Sequence, residues 1–414
     1  MNTPLARTLV VALLAIGLGG PSGATPHTPT DDQTVVATLP GTTAARRQAR
    51  QLARQVHALG TSPAALPAAL QLARAAIDRF RRDGDPREIG VARAALTPWW
   101  TQAAPPPAVR LLRASILQTQ HDFGPALTDL DALIASPQAP LPLQAQAELI
   151  RLALLQAQGR LEDARLGCER LGSARYATLG DSVQLPAAVC AAELASLMGD
   201  EGRGARELAA LAAKVTPQSD PGTAAWLALV QGELAERRGD PAALGLFERA
   251  LQLQPEAYTR AALADWLLDR QRHAEVLRLS DIPLEDLPDS LLLRRAIALK
   301  RLGDPRAAAA ADLLGQRLDA TRERGDTTHR REQARYLLEL RGQPQAALPL
   351  ALANWAVQKE PADARLLLDC ANAAGQPQAA RDVLRHLRVY HQRDVRLTAA
   401  LAAPAPTPAP VPER

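Results

Sequence analysis

Any chemistry in this chain would have to come from a few side chains. The histidines are His27, His57, His121, His273, His329, His386 and His391. None stands in a His-x-x-x-His or His-Glu-x-x-His pattern, the spacing that puts two imidazoles on one helical face for a metal. His386 and His391 are five apart and face different sides of a helix. No Gly-x-Ser-x-Gly elbow occurs, and the glycine-dense stretch Gly199 to Gly204 lacks the Lys-Ser/Thr of a phosphate loop. The expectation is therefore no catalytic centre, no metal and no cofactor.

Three cysteines remain: Cys168, Cys190 and Cys370. An odd count leaves at least one thiol free. Cys168 and Cys190 are a possible disulfide, and two small buried side chains explain them equally well. Cys370, in an apolar run, reads as a buried thiol. The most charged window, Thr321 to Tyr336, holds Arg324, Arg331 and Arg335. Its structural reading is a solvated turn with Asp326 capping the next helix. Its functional reading is a polar wall that holds an acidic peptide or a chain end through guanidinium forks. Trp99 and Trp100 follow a proline at a helix end. They fit core packing or an end cap, and an exposed pair would be a partner anchor.

The elements that must position these residues follow from composition and period. Hydrophobic residues make up 47% of the 414, but only 3% are aromatic. Leu and Ala dominate, which favours packed helices over sheet. Lys+Arg 48 against Asp+Glu 44 is nearly balanced. The signs alternate along the helices, so no nucleic-acid patch is expected.

Apolar residues recur at three and four, the amphipathic helix spacing. Turn signals interrupt them near Gly84, His121, Gly159, Gly199, Gly239, Gln271, Gly303, Gly342 and Gly375, at intervals of about 32 to 40 residues. Three of these turns read Gly-Asp-Pro. Glycine takes the left-handed conformation that closes one helix, aspartate caps the next, and proline fits its first turn. Two helices and two turns fill each interval.

The stretch Ala243-x-x-x-Phe247, with Ala250 and Pro255, resembles the second helix of a tetratricopeptide repeat. Looser copies are Ala126/Leu130/Leu133, Ala164/Cys168/Leu171 and Ala380/Leu384/Leu387. The first-helix pattern keeps Gly232 and lacks its aromatic partners. This resemblance covers about 105–395. It implies an all-α fold: a right-handed α-α superhelix, a solenoid of stacked antiparallel helix pairs. It also implies a concave groove that takes a protein or peptide. Some members grip a peptide carboxyl terminus with Lys and Asn four apart. The residues four after the lysines here are Gln218, Asp304 and Asp363, so that clamp is missing.

The expected organisation is a signal peptide at 1–24, a flexible leader at 25–43, N-terminal helices at 44–104 (a cap or a divergent repeat), helical repeats at 105–395, and a Pro/Ala-rich tail at 396–414. The signal reading rests on Arg7, the apolar run Leu9 to Leu18, and Ser22-Gly23-Ala24 before the cut. It implies a periplasmic protein without a transmembrane segment, with secretion as the lesser alternative. The functional expectation is a non-enzymatic scaffold for protein–protein interaction. Two alternatives stand beside it: an enzyme assembled from Asp326, His329, Glu332 and Cys370, and a purely structural spacer.

Overall fold

The computed structural model describes residues 50–397, apart from 52, 55, 56, 59, 61 and 324–327. These residues fall in the unit Ala49–Arg414. The expected signal peptide and leader, and the tail beyond Leu397, lie outside the described residues. Among the described residues there is no strand.

Eighteen α-helices form nine antiparallel pairs among the described residues. They are α1 (Leu66–Asp83) with α2 (Arg87–Trp100), α3 (Pro107–Thr119) with α4 (Phe123–Ile134), and α5 (Leu141–Ala157) with α6 (Leu161–Leu171). Next come α7 (Asp181–Leu197) with α8 (Glu201–Ala212), α9 (Pro221–Arg237) with α10 (Ala243–Leu253), and α11 (Ala257–Asp269) with α12 (His273–Leu279). The last are α13 (Asp289–Arg301) with α14 (Arg306–Glu323), α15 (Arg330–Arg335, continued by a π-helical turn to Leu340) with α16 (Pro344–Trp355), and α17 (Pro361–Ala373) with α18 (Arg381–Val389). Each first helix packs on its own second helix and on the next first helix, so the pairs stack into a superhelix. The architecture is an all-α helical repeat, a solenoid of the tetratricopeptide type. Residues 66–100 form an antiparallel helix pair that packs on α3.

The turns explain the pairing. All nine turn residues read from the sequence have positive φ, including His121 at 56° and Gln271 at 59°. In the Gly-Asp-Pro turns the aspartate accepts an N–H from the start of the next helix. Asp85 accepts from Arg87 at 3.0 Å, Asp240 from Ala242 at 2.9 Å, and Asp304 from Arg306 at 2.9 Å.

Burial follows position in the stack. A first helix lies between neighbours and is apolar on several faces: α13 buries Leu291, Leu292, Leu293, Ala296, Ile297, Ala298 and Leu299. A second helix buries one stripe: α10 buries only Ala243, Phe247 and Ala250. The alanine, phenylalanine, leucine and cysteine positions that carry the repeat resemblance, including Leu130, Leu171 and Leu387, are core, while Pro255 is exposed. Leu130 is 0% exposed. Leu130→Ala is expected to lose about 2–5 kcal/mol of folding stability, read from urea unfolding.

The fold runs past the expected start of the tail. Arg396 and Leu397 sit in a short turn with Val395, and Leu397 is buried. The Pro-Ala composition that forbids a helix begins only after them.

Candidate functional site

The first helices carry a row of polar side chains that meet one another from pair to pair. Gln156 on α5 donates to Glu193 on α7 at 2.6 Å. Tyr258 on α11 donates its hydroxyl to Glu233 on α9 at 2.9 Å. Neither Glu193 nor Glu233 has a salt-bridge partner among the described residues. Burial pushes Glu233 up to about 7, and repulsion from Glu193 adds to it. Burial also raises Glu193, against the hydrogen bond from Gln156 and the charge of Arg237. Tyr258 is raised well above its ordinary value, first by the charge of Glu233 and then by burial. Yet Tyr258 is 51% exposed. The ring is open to water, while the hydroxyl is held on Glu233.

The arginines expected to hold an acidic partner are spent inside the chain. Arg331 reaches Asp363 through Nε at 2.6 Å and Nη2 at 2.8 Å, and Glu360 through Nη2 at 2.5 Å. Arg335 reaches Asp265 and Glu339, each at 2.8 Å. Burial works against the Asp265 carboxylate, but Arg294 and Arg335 outweigh it and hold it at about 2. Arg324 lies outside the described residues. Trp99 is buried in the first core cluster. Trp100 is half-buried with the Arg93 guanidinium 4.9 Å from its ring centre.

Cys168 on α6 and Cys190 on α7 are joined, with Cα atoms 6.1 Å apart. Alkylation of the unfolded, unreduced chain should therefore label one thiol, and three after reduction. Opening the bond should cost about 3 kcal/mol on the loop-closure model. Cys370 is fully buried, and burial, with Asp369 beside it, pushes its thiol up to about 12. A thiol so held is not a nucleophile at neutral pH. Of the other residues in the enzymatic alternative, Asp326 lies outside the described residues. Glu332 is held below its ordinary value, because Arg331 and His329 outweigh its burial. No group of three or more metal-ligating side chains occurs among the described residues. Nor is any helix there long and apolar enough to cross a membrane. His386 is wedged between Trp355 and Tyr390, and burial, with Lys359 adding, lowers it to about 4.

A second feature, unseen in the sequence, is contact across the superhelix. The C-terminal ends of α5, α7, α9 and α11 face the last pairs. The Lys359 N–H donates to the Ala157 carbonyl at 2.7 Å, and its ammonium to Gln158 at 3.3 Å. Arg365 on α17 forks onto Asp269. Arg396 lies 3.0 Å from Glu236. Farther along, Arg260 donates to the Arg82 carbonyl. Glycines mark the closest approaches: a Cβ on Gly159 would stand 2.8 Å from the Lys359 side chain, and one on Gly199 would stand 2.7 Å from His391.

The carboxylates had a legible signal. Glu193, Glu233, Asp265 and Asp369 each lie six residues before a turn residue: Gly199, Gly239, Gln271 and Gly375. Aligning the pairs on their turns would have found that row. Nothing local marks the cross-contacts.

Burial also pushes Glu236 up to about 7, partly opposed by Arg396. A carboxyl whose folded pKa exceeds its unfolded value favours the folded state when protonated. That contribution is complete below about pH 4.5 and is lost as pH rises through 7. Glu233→Gln should raise the melting temperature at pH 8 and leave it nearly unchanged at pH 5, an effect of about 1–2 kcal/mol after allowing for solvent access.

No protein-family model matches the chain, and no curated protein matches it.

Proposed function

We propose that the chain is an exported scaffold of the tetratricopeptide-repeat kind, which binds a protein or peptide on the face built by its first helices and does no chemistry on it. The observation that carries this reading is the partly exposed polar row Gln156, Glu193, Glu233 and Tyr258, contributed by four successive first helices. A stack of rigid helices presents such a row at fixed spacing, which suits an extended segment. Its open groups are acceptors, while the guanidiniums nearby are already paired, so the partner supplies donors. The export reading is supported by the N-terminal signal pattern and by the Cys168–Cys190 bond, since disulfides persist in oxidising compartments. The periplasm is the compartment we assign.

The test is affinity capture from a periplasmic extract with the chain from Thr25 onward. A Glu193→Gln/Glu233→Gln/Tyr258→Ala variant serves beside it, checked for native helicity. A captured protein that falls at least tenfold on the variant supports the reading. Equal capture by both would remove this face from the binding surface, and cell fractionation would test the compartment separately.

A further inference from the structure

The chain ends its described part in a strap, Gln392–Leu397, that leaves α18 and lies along the rim formed by the C-terminal ends of α7, α9 and α11. Its contacts resemble those of a bound peptide. Arg396 is preorganised by Asp394, with Nε 2.8 Å from Oδ1 and Nη2 2.6 Å from Oδ2. It then reaches two carboxylates of the rim, Glu236 at 3.0 Å and Asp269 at 3.9 Å. Leu397 is 4% exposed. A gap between strap and rim, ringed by Ser196, Arg237, Asp394 and Leu397 among others, measures about 10 Å³, no more than a single water occupies. The strap lies so close that a Cβ on Gly239 would stand 3.3 Å from the Val395 side chain.

The rim is suited to cations for two reasons. Helix C-termini point unsatisfied carbonyls and the negative end of the helix dipole at whatever lies against them. The carboxyl groups of Glu236 and Asp269 add acceptors that favour a guanidinium. One helix earlier the Lys359 ammonium likewise donates to the Gln158 carbonyl just past the end of α5, at 3.3 Å. The strap fits this surface imperfectly. Glu236 Oε1 is buried beside Arg396 and yet accepts no aligned hydrogen bond. A better-placed guanidinium would complete it.

We infer that the rim of α7, α9 and α11 is a docking surface for an extended partner segment bearing an arginine followed by a leucine-like residue, and that the chain's own strap occupies it at rest. This deepens the scaffold reading and rests on it for the existence of a partner. The strap is a tethered competitor: linked to α18 by two residues, it has a high effective concentration at the rim, so an outside segment enters only when the strap lets go.

The experiment uses the full chain and a fluorescein-labelled peptide of residues 390–397, followed by fluorescence anisotropy. Arg396→Ala in the chain weakens the strap and leaves the rim intact. The peptide should bind this variant at least tenfold more tightly than it binds the wild type. A peptide with its own arginine replaced by alanine should lose at least tenfold on the same variant. Equal binding to wild type and variant, or indifference to the peptide's arginine, overturns the inference. Should Arg396→Ala fail to fold, amide exchange on the wild type decides. Amides of 392–397 opening at least tenfold more often than the middles of α7 and α9 support a releasable strap. Exchange of the strap only with the whole molecule overturns it. Because the probe is the chain's own segment, its success or failure is independent of whether capture finds a cellular partner.

Discussion

Asp363→Ala is expected to cost about 3–5 kcal/mol of folding stability, because it removes a carboxylate that pairs with a buried guanidinium. The Asp363 side chain is 0% exposed and collects four donors. Arg331 supplies Nε at 2.6 Å and Nη2 at 2.8 Å, Asn354 its amide at 2.6 Å, and Glu360 its backbone N–H at 3.0 Å. The last of these is half of a capping box that starts α17. Alanine therefore leaves an amide and a helix-start N–H without their acceptor, and Arg331 keeps Glu360 as its ion pair, with Glu332 nearby. Asp363→Asn keeps the shape and one acceptor oxygen, and should lose less. Arg331→Met with Asp363→Ala should lose less than the sum of the two single changes, since both remove the same contact. Urea unfolding followed by far-UV circular dichroism reads all four proteins. A loss under 1 kcal/mol for Asp363→Ala would mean that water reaches Arg331 freely, and that this part of the first-helix face is open.

The second large effect concerns the close crossing of α9 and α10. Phe247 is fully buried, and a Cβ on Gly232 would stand 2.9 Å from two of its ring carbons. Phe247→Ala is expected to cost about 3–5 kcal/mol through lost burial and the cavity left behind. Gly232→Ala combines two opposed terms. Alanine improves helix propensity by about 1 kcal/mol, while the clash with the ring costs about 1–3 kcal/mol. The clash wins in the wild type, so the change destabilises. Once Phe247 is alanine the ring is absent, and the propensity term stands alone. Gly232→Ala should then stabilise by up to about 1 kcal/mol. A change of sign between the two backgrounds, measured as a double-mutant cycle, is the expected result. The same sign in both would show that the helices shift apart at little cost, so that the crossing is not fixed by contact of Gly232 with the ring.

Much of the architecture was legible in the amino-acid sequence because it is local. Helix pairing follows from apolar residues at three and four and from nine punctuating turns. Each turn needs only a residue able to take positive φ and a few capping groups beside it. His121 and Gln271 were readable as turns without glycine, because the periodicity broke there. The core positions Ala243, Phe247 and Leu130 followed from the same spacing. The role of Arg331 and Arg335 did not follow. Their window looks like a solvated turn or a waiting anion site, and which it is depends on Asp363 and Asp265, supplied by other pairs. The strap was still less visible. Arg396 meets Glu236 across 160 residues, and Arg260 meets the Arg82 carbonyl across 178. Such contacts are set by the rotation accumulated from each pair to the next. A small rotation per step, summed over several pairs, decides which helix ends face one another, and no spacing within a single pair encodes that sum.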